Sequence, residues 1–186
     1  MYGQVIKLIK KFIAFLTAAF LCLPALHPVS AEETLSVSAR AAVLMDASTG
    51  RILFSVNPDE KLAMASTTKI MTALLALEEA EKENKAVKIT REMIQVEGSS
   101  MGLKEGNVLS LKDLTAGLLA VSGNDAANSV AIAVSGSKQA FADRMNQKAR
   151  ELGMENTHFV TPSGLDGEEH YSTARDMAIL ACHALE

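Results

Sequence analysis

Ser66 and Lys69 are the two residues whose types and spacing most directly suggest chemistry. They open the longest helical pattern downstream of the N-terminal apolar run, and residues i and i+3 share one face of a helix. A serine hydroxyl becomes an effective nucleophile when a neighbouring base takes its proton. Because the helix beyond Lys69 is apolar, we expect its amine to be partly buried, with a lowered pKa that makes the neutral form available. The pair therefore predicts a serine nucleophile with a lysine base.

Ser66 also stands where a helix-capping residue would stand, and capping is the most frequent role of such a serine. The two roles are compatible. The free N–H groups and partial positive charge of a helix N-terminus would favour an alkoxide and stabilise an oxyanion beside it.

Ser122, Gly123 and Asn124 form a second pattern, a helix-breaking turn between two helical segments. Short patterns of this kind also arise by chance. Ser135 and Lys138 repeat the spacing of the first pair, but a glycine breaks the helix between them and no apolar helix surrounds them. Ser66 is preferred because a buried helix carries its motif and the Ser122 turn follows in order.

A rival nucleophile is Ser100, within a Gly-x-Ser-x-Gly pattern at residues 98–102. Asp166 and His170 follow in the order that a triad of this type requires. Such an elbow needs a strand before it and a helix after it, whereas residues 103–107 are too glycine-broken for a helix. We therefore favour Ser66 over Ser100.

The histidines form no metal-binding pattern. His158, His170 and His183 lack the His-x-x-x-His spacing and a matching set of carboxylates, so we expect them at the surface or in packing. The sequence also has no glycine-rich loop of the phosphate-binding type. We expect no metal and no cofactor.

Periodicity and turn residues predict the elements that must position these groups. Two strands, at 41–45 and 51–56, flank a turn and predict a hairpin. A mostly apolar helix from Ser66 to about Glu83, with Leu77 in its apolar surface, belongs in the interior. The remaining predictions are a strand at 87–89, irregular chain at 97–107, a helix at 111–121 capped by Ser110, a helix at 125–134 ended by Gly136, a helix that is capped by Ser137 and runs to Leu152, a loop at 156–169 and a last helix capped by Ser172.

The N-terminus has the composition of an export signal. Three lysines, an apolar run at 12–26 and small residues before the junction predict cleavage after Ala31. A membrane anchor is the alternative, but the run falls short of the about 20 apolar residues that a spanning helix needs. Cleavage leaves one domain at 32–186 with a single cysteine, Cys182, and hence no disulfide within the chain.

Composition limits the classes of function and fold. The chain has a net charge of −4, which gives no support to nucleic-acid binding. With 48% hydrophobic but only 4% aromatic residues, the core is expected to be aliphatic and rich in Ala and Met. Two strands are too few to cover so many apolar helices, and Glu186 falls inside a helical pattern, so we expect the domain to need further strands.

Longer segments surround and extend the two short motifs. They are Ala63–Thr72, Val121–Ala126, Leu152–Met154 with Thr157 and Phe159, Pro162–Leu165 and Tyr171–Asp176. Together they resemble the D-alanyl-D-alanine carboxypeptidases, the low-molecular-mass penicillin-binding proteins of serine peptidase clan SE. The resemblance implies an α/β (α+β) fold of the β-lactamase/transpeptidase type, in which a helical cluster flanks an antiparallel sheet.

The resemblance also implies a reaction. Ser66 would attack the carbonyl between the last two D-alanines of a peptidoglycan stem peptide, Lys69 would take the proton, and an acyl-enzyme would form. Ser122 would relay a proton to Lys69 and to the leaving amine. Asn124 would hold the substrate backbone and orient Lys69, and the N–H of Ser66 would form half of an oxyanion hole. β-Lactams would acylate the same serine, and no cofactor is implied.

One motif of this family is absent, because no Lys-Thr-Gly or Lys-Ser-Gly follows Asn124. We expect residues 32–186 to be the N-terminal part of a catalytic domain, truncated before the strand that carries this motif. Any membrane association is expected through parts not present here. The export signal predicts an extracytoplasmic location, in the cell wall, at the outer face of the membrane or in the periplasm.

Two other functions compete with the carboxypeptidase interpretation. A class A β-lactamase would need a Glu-x-x-Leu-Asn run after Asn124, and the sequence contains none. The other alternative is an inactive fragment or a non-catalytic remnant that binds the cell wall, which the missing motif suggests.

Overall fold

The computed structural model describes residues 2–4, 6, 36–165 and 167–185. It divides into two units, Met1–Ser36 and Val37–Glu186. In the first unit, residues 2–4 and 6 are helical. Most of the predicted export signal, including the cleavage site after Ala31, lies outside the described residues. Within the part of the chain that is described, no helix is long and apolar enough to cross a membrane.

A β-hairpin opens the second unit. Strand β1 (Ala42–Met45) pairs antiparallel with β2 (Ile52–Val56). Asp46 shapes the turn, because one oxygen of its carboxylate accepts hydrogen bonds from the backbone N–H groups of Ser48 and Thr49. The predicted hairpin is confirmed.

A second pair of strands forms a separate two-stranded antiparallel sheet. Strand β3 (Ala86–Lys88) pairs with β4 (Val108–Ser110), with Val87 opposite Leu109. The sequence predicted β3 one residue later, at 87–89, and missed β4. Three residues are too few for an alternation of apolar and polar side chains to identify a strand.

The described part of the second unit contains six α-helices. They are α1 (Lys69–Lys82), α2 (Arg91–Ile94), α3 (Leu111–Val121), α4 (Asn124–Ser135), α5 (Lys138–Glu151) and α6 (Ala174–Ala184). A 3-10 turn at Ala65–Thr68 leads directly into α1. The four-residue α2 was not predicted, and the other five helices lie within a few residues of their predicted positions.

Capping side chains explain where several helices begin. The hydroxyls of Ser110 and Ser137 accept hydrogen bonds from backbone N–H groups in the first turns of α3 and α5, as predicted. The prediction that Ser172 caps the last helix was wrong. Thr173 caps α6, since its hydroxyl accepts from the N–H of Asp176, while Ser172 pairs through its backbone with Leu62.

The core is aliphatic and rich in methionine, as the composition predicts. Helix α1 lies at its centre and packs against α3, α4, α5 and α6. The sequence predicted that Leu77 lies in the buried face of α1, but this residue is 41% exposed. The largest fully buried side chains come from every part of the unit and include Phe141, Phe159, Met71, Leu75, Leu111, Leu114, Met145 and Leu180.

Candidate active site

Ser66 and Lys69 lie in contact at the entrance of α1. The Nζ atom of Lys69 is 3.1 Å from the Oγ atom of Ser66. Ser66 is in the 3-10 turn rather than in the α-helix, and this strengthens the pairing because side chains at i and i+3 eclipse in a 3-10 turn. The Ser66 hydroxyl caps neither the turn nor α1. The spacing thus predicted the proximity correctly, whereas the capping role is not observed.

Backbone strain precedes the candidate nucleophile. Ala65 has a φ angle of 45°, in the left-handed region that alanine rarely adopts. Strain of this kind persists where the surrounding structure holds it, and it is concentrated at functional sites. Ser66 is exposed, whereas Lys69 is only 3% exposed. The hydroxyl therefore faces solvent while the amine lies behind it.

Burial and hydrogen bonding define the state of Lys69. Its Nζ donates a hydrogen bond to the backbone carbonyl of Ser163 at 2.8 Å. Among the described residues no carboxylate forms an ion pair with it. Burial lowers the pKa of Lys69, because a cation is disfavoured away from water. The arrangement supports a neutral amine directed at the Ser66 hydroxyl.

The loop at 161–165 packs against the residues of this site. Thr72, one turn into α1, donates from its hydroxyl to the carbonyl of Pro162 at 2.6 Å. Gly164 lies against the backbone of Ala65, with a φ angle of +82° and no room for a side chain. The sequence resemblance included this loop, but no residue of it was predicted to contact Lys69.

The antiparallel packing of α1 and α3 determines where Ser122 lies. The end of α1 meets the start of α3, since the N–H groups of Leu111 and Lys112 donate to Lys85 and Asn84 respectively. Farther along, Ala73 of α1 and Leu118 of α3 share one buried cluster. Ser122, at the end of α3, therefore lies at the same end of the helix pair as Lys69.

Ser122 ends α3 in a left-handed conformation, with a φ angle of 56°. Its hydroxyl is half-buried and makes no hydrogen bond to any described residue, so it stays available. It shares no hydrogen bond with Ser66 or Lys69 in this structure. Its role in proton transfer stays a prediction.

Asn124 begins α4 and is 4% exposed. Its side-chain amide donates to the carbonyl of Glu97 at 2.7 Å, and its backbone N–H donates to Ser99 at 2.7 Å. Among the described residues its side-chain oxygen accepts no hydrogen bond. The structure shows no hydrogen bond between Asn124 and Lys69, so the predicted orientation of Lys69 by Asn124 stays a prediction.

Asp125 is a positioning residue that the sequence analysis missed. Its carboxylate accepts from the Ser100 hydroxyl at 2.7 Å and from the N–H groups of Met101, Leu103 and Ala126 at 2.8, 3.0 and 2.9 Å. Burial alone would raise the pKa of Asp125, but these hydrogen bonds hold that pKa below its ordinary value. Asp125 therefore fixes the irregular segment against the Ser122 turn.

His170 is a second residue whose role the sequence did not show. Its Nδ1 accepts from the N–H of Val160 at 2.9 Å, so its proton is on Nε2, which donates to the Thr68 hydroxyl at 2.8 Å. Burial, and secondarily the nearby His158, lower the pKa of His170. A neutral His170 thus supports the turn that carries Ser66. The expectation of a packing role fits this position.

The rival elbow at residues 98–102 lacks the context that it needs. Ser100 lies in irregular chain with neither a strand before it nor a helix after it. Its hydroxyl donates to Asp125, and His170 bonds to Thr68 instead. Asp166, the third member of the proposed triad, lies outside the described residues. The geometry therefore disfavours Ser100 as a nucleophile.

No group of three or more His, Cys, Asp or Glu side chains capable of holding a metal ion occurs among the described residues.

Comparison with known proteins identifies the family. The sequence profile described as D-alanyl-D-alanine carboxypeptidase matches residues 28–186. This chain belongs to the D-alanyl-D-alanine carboxypeptidase family. It is 41% identical over 156 residues to the D-alanyl-D-alanine carboxypeptidase DacF of Bacillus subtilis, a match that covers 82% of this chain and 40% of the relative. It is 44% identical over 179 residues to DacC of Escherichia coli, covering 88% and 44%.

Solved structures agree with the family assignment and confirm the predicted fold class. The D-alanyl-D-alanine carboxypeptidase DacD from Francisella tularensis matches with a TM-score of 0.78 and 41% identity, over 81% of this chain and 38% of that one. Penicillin binding protein 5 from Haemophilus influenzae matches with a TM-score of 0.76 and 37% identity, over 81% and 46%. The chain thus spans less than half the length of these relatives of the carboxypeptidase family.

Proposed function

We propose that this chain carries the acylation site of a serine-type D-alanyl-D-alanine carboxypeptidase, which removes the terminal D-alanine from peptidoglycan stem peptides. The observation that supports this most directly is the Lys69 amine, buried without a carboxylate partner and 3.1 Å from the exposed Ser66 hydroxyl. A solvated lysine would stay protonated at neutral pH and could not serve as a base.

The first step of the proposed reaction is nucleophilic attack. Ser66 Oγ bonds to the carbonyl carbon between the last two D-alanines, and its proton passes to the lone pair of neutral Lys69. A neutral amine keeps two N–H bonds, so Nζ can still donate to the Ser163 carbonyl while it accepts this proton. The Ser163 contact thus aims the lone pair of Lys69 at the nucleophile.

The second step breaks the peptide bond. The carbon–nitrogen bond of the tetrahedral intermediate cleaves, and the leaving D-alanine amine takes the proton that Lys69 received, through the Ser122 hydroxyl. The N–H of Ser66, in the first turn before α1, would help to stabilise the oxyanion. Asn124 would use its unoccupied side-chain oxygen to hold the substrate backbone. Water then hydrolyses the acyl-enzyme and frees Ser66.

The proposal extends to β-lactams and to location. β-Lactams would acylate Ser66 through the same attack and stay bound as covalent inhibitors. The lysine-led apolar segment and the small residues before Ala31 support export, with the mature chain beginning at Glu32. The site would then act outside the cytoplasm, where the cell wall provides its substrate. Relatives of this family that are named for this reaction support the substrate class.

The test is the intact mass of the exported protein with and without benzylpenicillin, followed by peptide mapping. We expect a one-to-one adduct on Ser66 and a start at Glu32. Ser66→Ala should lose all labelling while its circular dichroism is unchanged. Ser135→Ala is the matched control, because Ser135 repeats the serine–lysine spacing outside the site and should label normally.

Other outcomes would reject the proposal in distinct ways. An adduct on Ser100 would restore the rival elbow. Rapid turnover of a chromogenic cephalosporin would indicate a β-lactamase. Binding to purified cell walls without any covalent adduct would favour a non-catalytic cell-wall-binding protein.

A further inference from the structure

A pocket of about 420 Å³ lies beside the candidate active site. It is lined by the segment before residue 97, helix α4, the start of α5 and the loop at 160–165. Its walls include Val96, Asn128, Lys138, Val160, Ser163 and Leu165. The catalytic steps described above use none of these side chains.

Asn128 is the unusual member of this lining. It is only 3% exposed, yet its side-chain amide makes no hydrogen bond to the other residues that the structure describes. No fully buried side-chain nitrogen or oxygen among the described residues lacks a hydrogen-bond partner. The Asn128 amide must therefore open into the pocket. The amide therefore offers its hydrogen-bonding groups to whatever occupies the pocket.

The chemistry of an asparagine amide specifies what it can bond to. It offers one acceptor oxygen and two donor hydrogens, which match the N–H and C=O of a peptide group. The pocket walls beside it are mostly aliphatic, from Val96, Val160 and Leu165. The pocket therefore suits a peptide backbone with small or aliphatic parts on either side.

Lys138 adds a charge preference. It is the one charged side chain among the residues that line the described pocket, and it lies at the exposed start of α5. Among the described residues it forms no ion pair. A carboxylate on the bound peptide could approach it without displacing a partner.

The position of the pocket relates it to the reaction. Ser163 lines the pocket and also accepts a hydrogen bond from Lys69. Asn124 and Asn128 are one helical turn apart on α4, a rise of about 5.4–6 Å. An extended peptide advances about 3.3–3.6 Å per residue, so this distance corresponds to one or two residues.

We propose that this pocket is a subsite for the one or two substrate residues that precede the penultimate D-alanine, with Asn128 pairing to their backbone and Lys138 to a carboxylate. The proposal rests on the proposed function, because it assumes a bound peptide whose carbonyl carbon between the last two D-alanines lies at Ser66. In this proposal, Asn128 and Lys138 determine the specificity for the peptide. Substrates with an acidic residue at this distance are expected to bind more tightly than those without one.

The test titrates three peptides into ¹⁵N-labelled Ser66→Ala protein, in which no acylation occurs. The peptides are acetyl-D-Glu-Gly-D-Ala-D-Ala, its D-Gln counterpart and acetyl-D-Ala-D-Ala. We expect the acidic tetrapeptide to bind at least tenfold more tightly than the dipeptide, and to shift the side-chain amide resonances of Asn128. The D-Gln peptide should fall between them.

A second substitution in the Ser66→Ala protein identifies the side chains that are responsible for these preferences. Asn128→Leu should reduce the tenfold advantage of the tetrapeptide to less than threefold. Lys138→Gln should abolish the preference for D-Glu over D-Gln. The control Lys112→Gln changes an exposed lysine at the far end of α3 and should keep both preferences.

Two results would overturn the subsite: equal affinity for the three peptides, or tetrapeptide binding that leaves the Asn128 resonances unmoved. Penicillin labelling of the unsubstituted protein separates this failure from failure of the proposed function. Labelling on Ser66 without a peptide preference rejects the subsite alone. Peptide binding at Asn128 without any labelling rejects the acylation site and leaves a peptide-binding pocket.

Discussion

The Nζ atom of Lys69 lies 2.8 Å from the backbone carbonyl oxygen of Ser163, across 94 positions of sequence. This contact holds the amine in the interior, where its other hydrogen-bonding position is directed at the Ser66 hydroxyl. It also makes the 161–165 loop part of the candidate active site. A carbonyl acceptor satisfies an N–H group of the amine without adding a negative charge, so it does not restore the pKa that burial lowers.

Replacing the base should slow acylation without unfolding the protein. Lys69→Met keeps an unbranched apolar chain of similar length, and we expect its rate of benzylpenicillin labelling to fall by about 10²–10⁴-fold, the usual contribution of a general base. Stopped-flow or quench mass spectrometry measures the rate. Lys112→Met is the control and should label at the normal rate. A Lys69→Met rate within threefold of normal would exclude Lys69 as the base.

The pH dependence of acylation should follow the titration of Lys69. Because burial lowers the pKa of Lys69 below its ordinary value of 10.5, the neutral, reactive form becomes populated at lower pH than in a solvated lysine. The labelling rate should therefore rise with pH and level off below 10.5. A rate that keeps rising past this value would contradict a depressed pKa. Single-turnover labelling across pH 5–11 measures the profile.

Gly164→Ala should damage the site, because a Cβ at this position would overlap the Ala65 carbonyl group and lie 2.8 Å from Thr68 Oγ1. Gly136→Ala is a matched control: its φ angle of +79° is nearly the same as the +82° of Gly164, but nothing lies within 4 Å. We expect about 1 kcal/mol of destabilisation for the control from left-handed strain. Gly164→Ala should lose about 3 kcal/mol and most of its penicillin labelling. Urea denaturation measures both free energies, and equal losses would show that the contact with Ala65 is unimportant.

Asp125→Asn should loosen the irregular segment at 98–104 from the Ser122 turn. The amide keeps one acceptor oxygen and directs an NH₂ group at former donors, so we expect a loss of about 3 kcal/mol in the free energy of unfolding. Asp143→Asn changes an exposed carboxylate whose one hydrogen bond comes from the exposed Gln139, and it should stay within about 0.5 kcal/mol of the unsubstituted protein. Amide hydrogen exchange should also accelerate at Met101 and Leu103 in Asp125→Asn. Unchanged protection there would reject the positioning role.

Stability should decrease in mild acid because of His170. Burial disfavours the protonated ring, so the folded pKa of His170 lies below the ordinary value of 6.5 and the unfolded chain binds more protons between the two values. The contribution of His170 to the free energy of unfolding is fully present above pH 6.5 and is lost as the pH falls toward the folded pKa. His170→Gln should flatten this part of the profile of melting temperature against pH. His183→Gln, which changes an exposed residue, should keep it, and a flat profile for the unsubstituted protein would refute the prediction.

Local signals in the sequence were sufficient for most elements. Hairpin β1–β2, the caps at Ser110 and Ser137, and the glycine that ends α4 depend on neighbouring residues, and each was predicted near its observed position. The failures came where a segment is short or its partner is distant. Strand β4 exists because β3 pairs with it, and Thr173 caps α6 while the Ser172 backbone is held by Leu62.

The sequence by itself determined the candidate chemistry, because Ser66 and Lys69 are close in the chain and a single turn brings their side chains together. It also determined the family, since the matching segments extend over most of the chain. Only the tertiary structure decided the environment of that pair. The burial of Lys69, its contact with Ser163, the Gly164 packing and the open amide of Asn128 each need segments far apart in sequence to meet. No local pattern encodes such meetings, because they depend on how helices pack rather than on which residues form them.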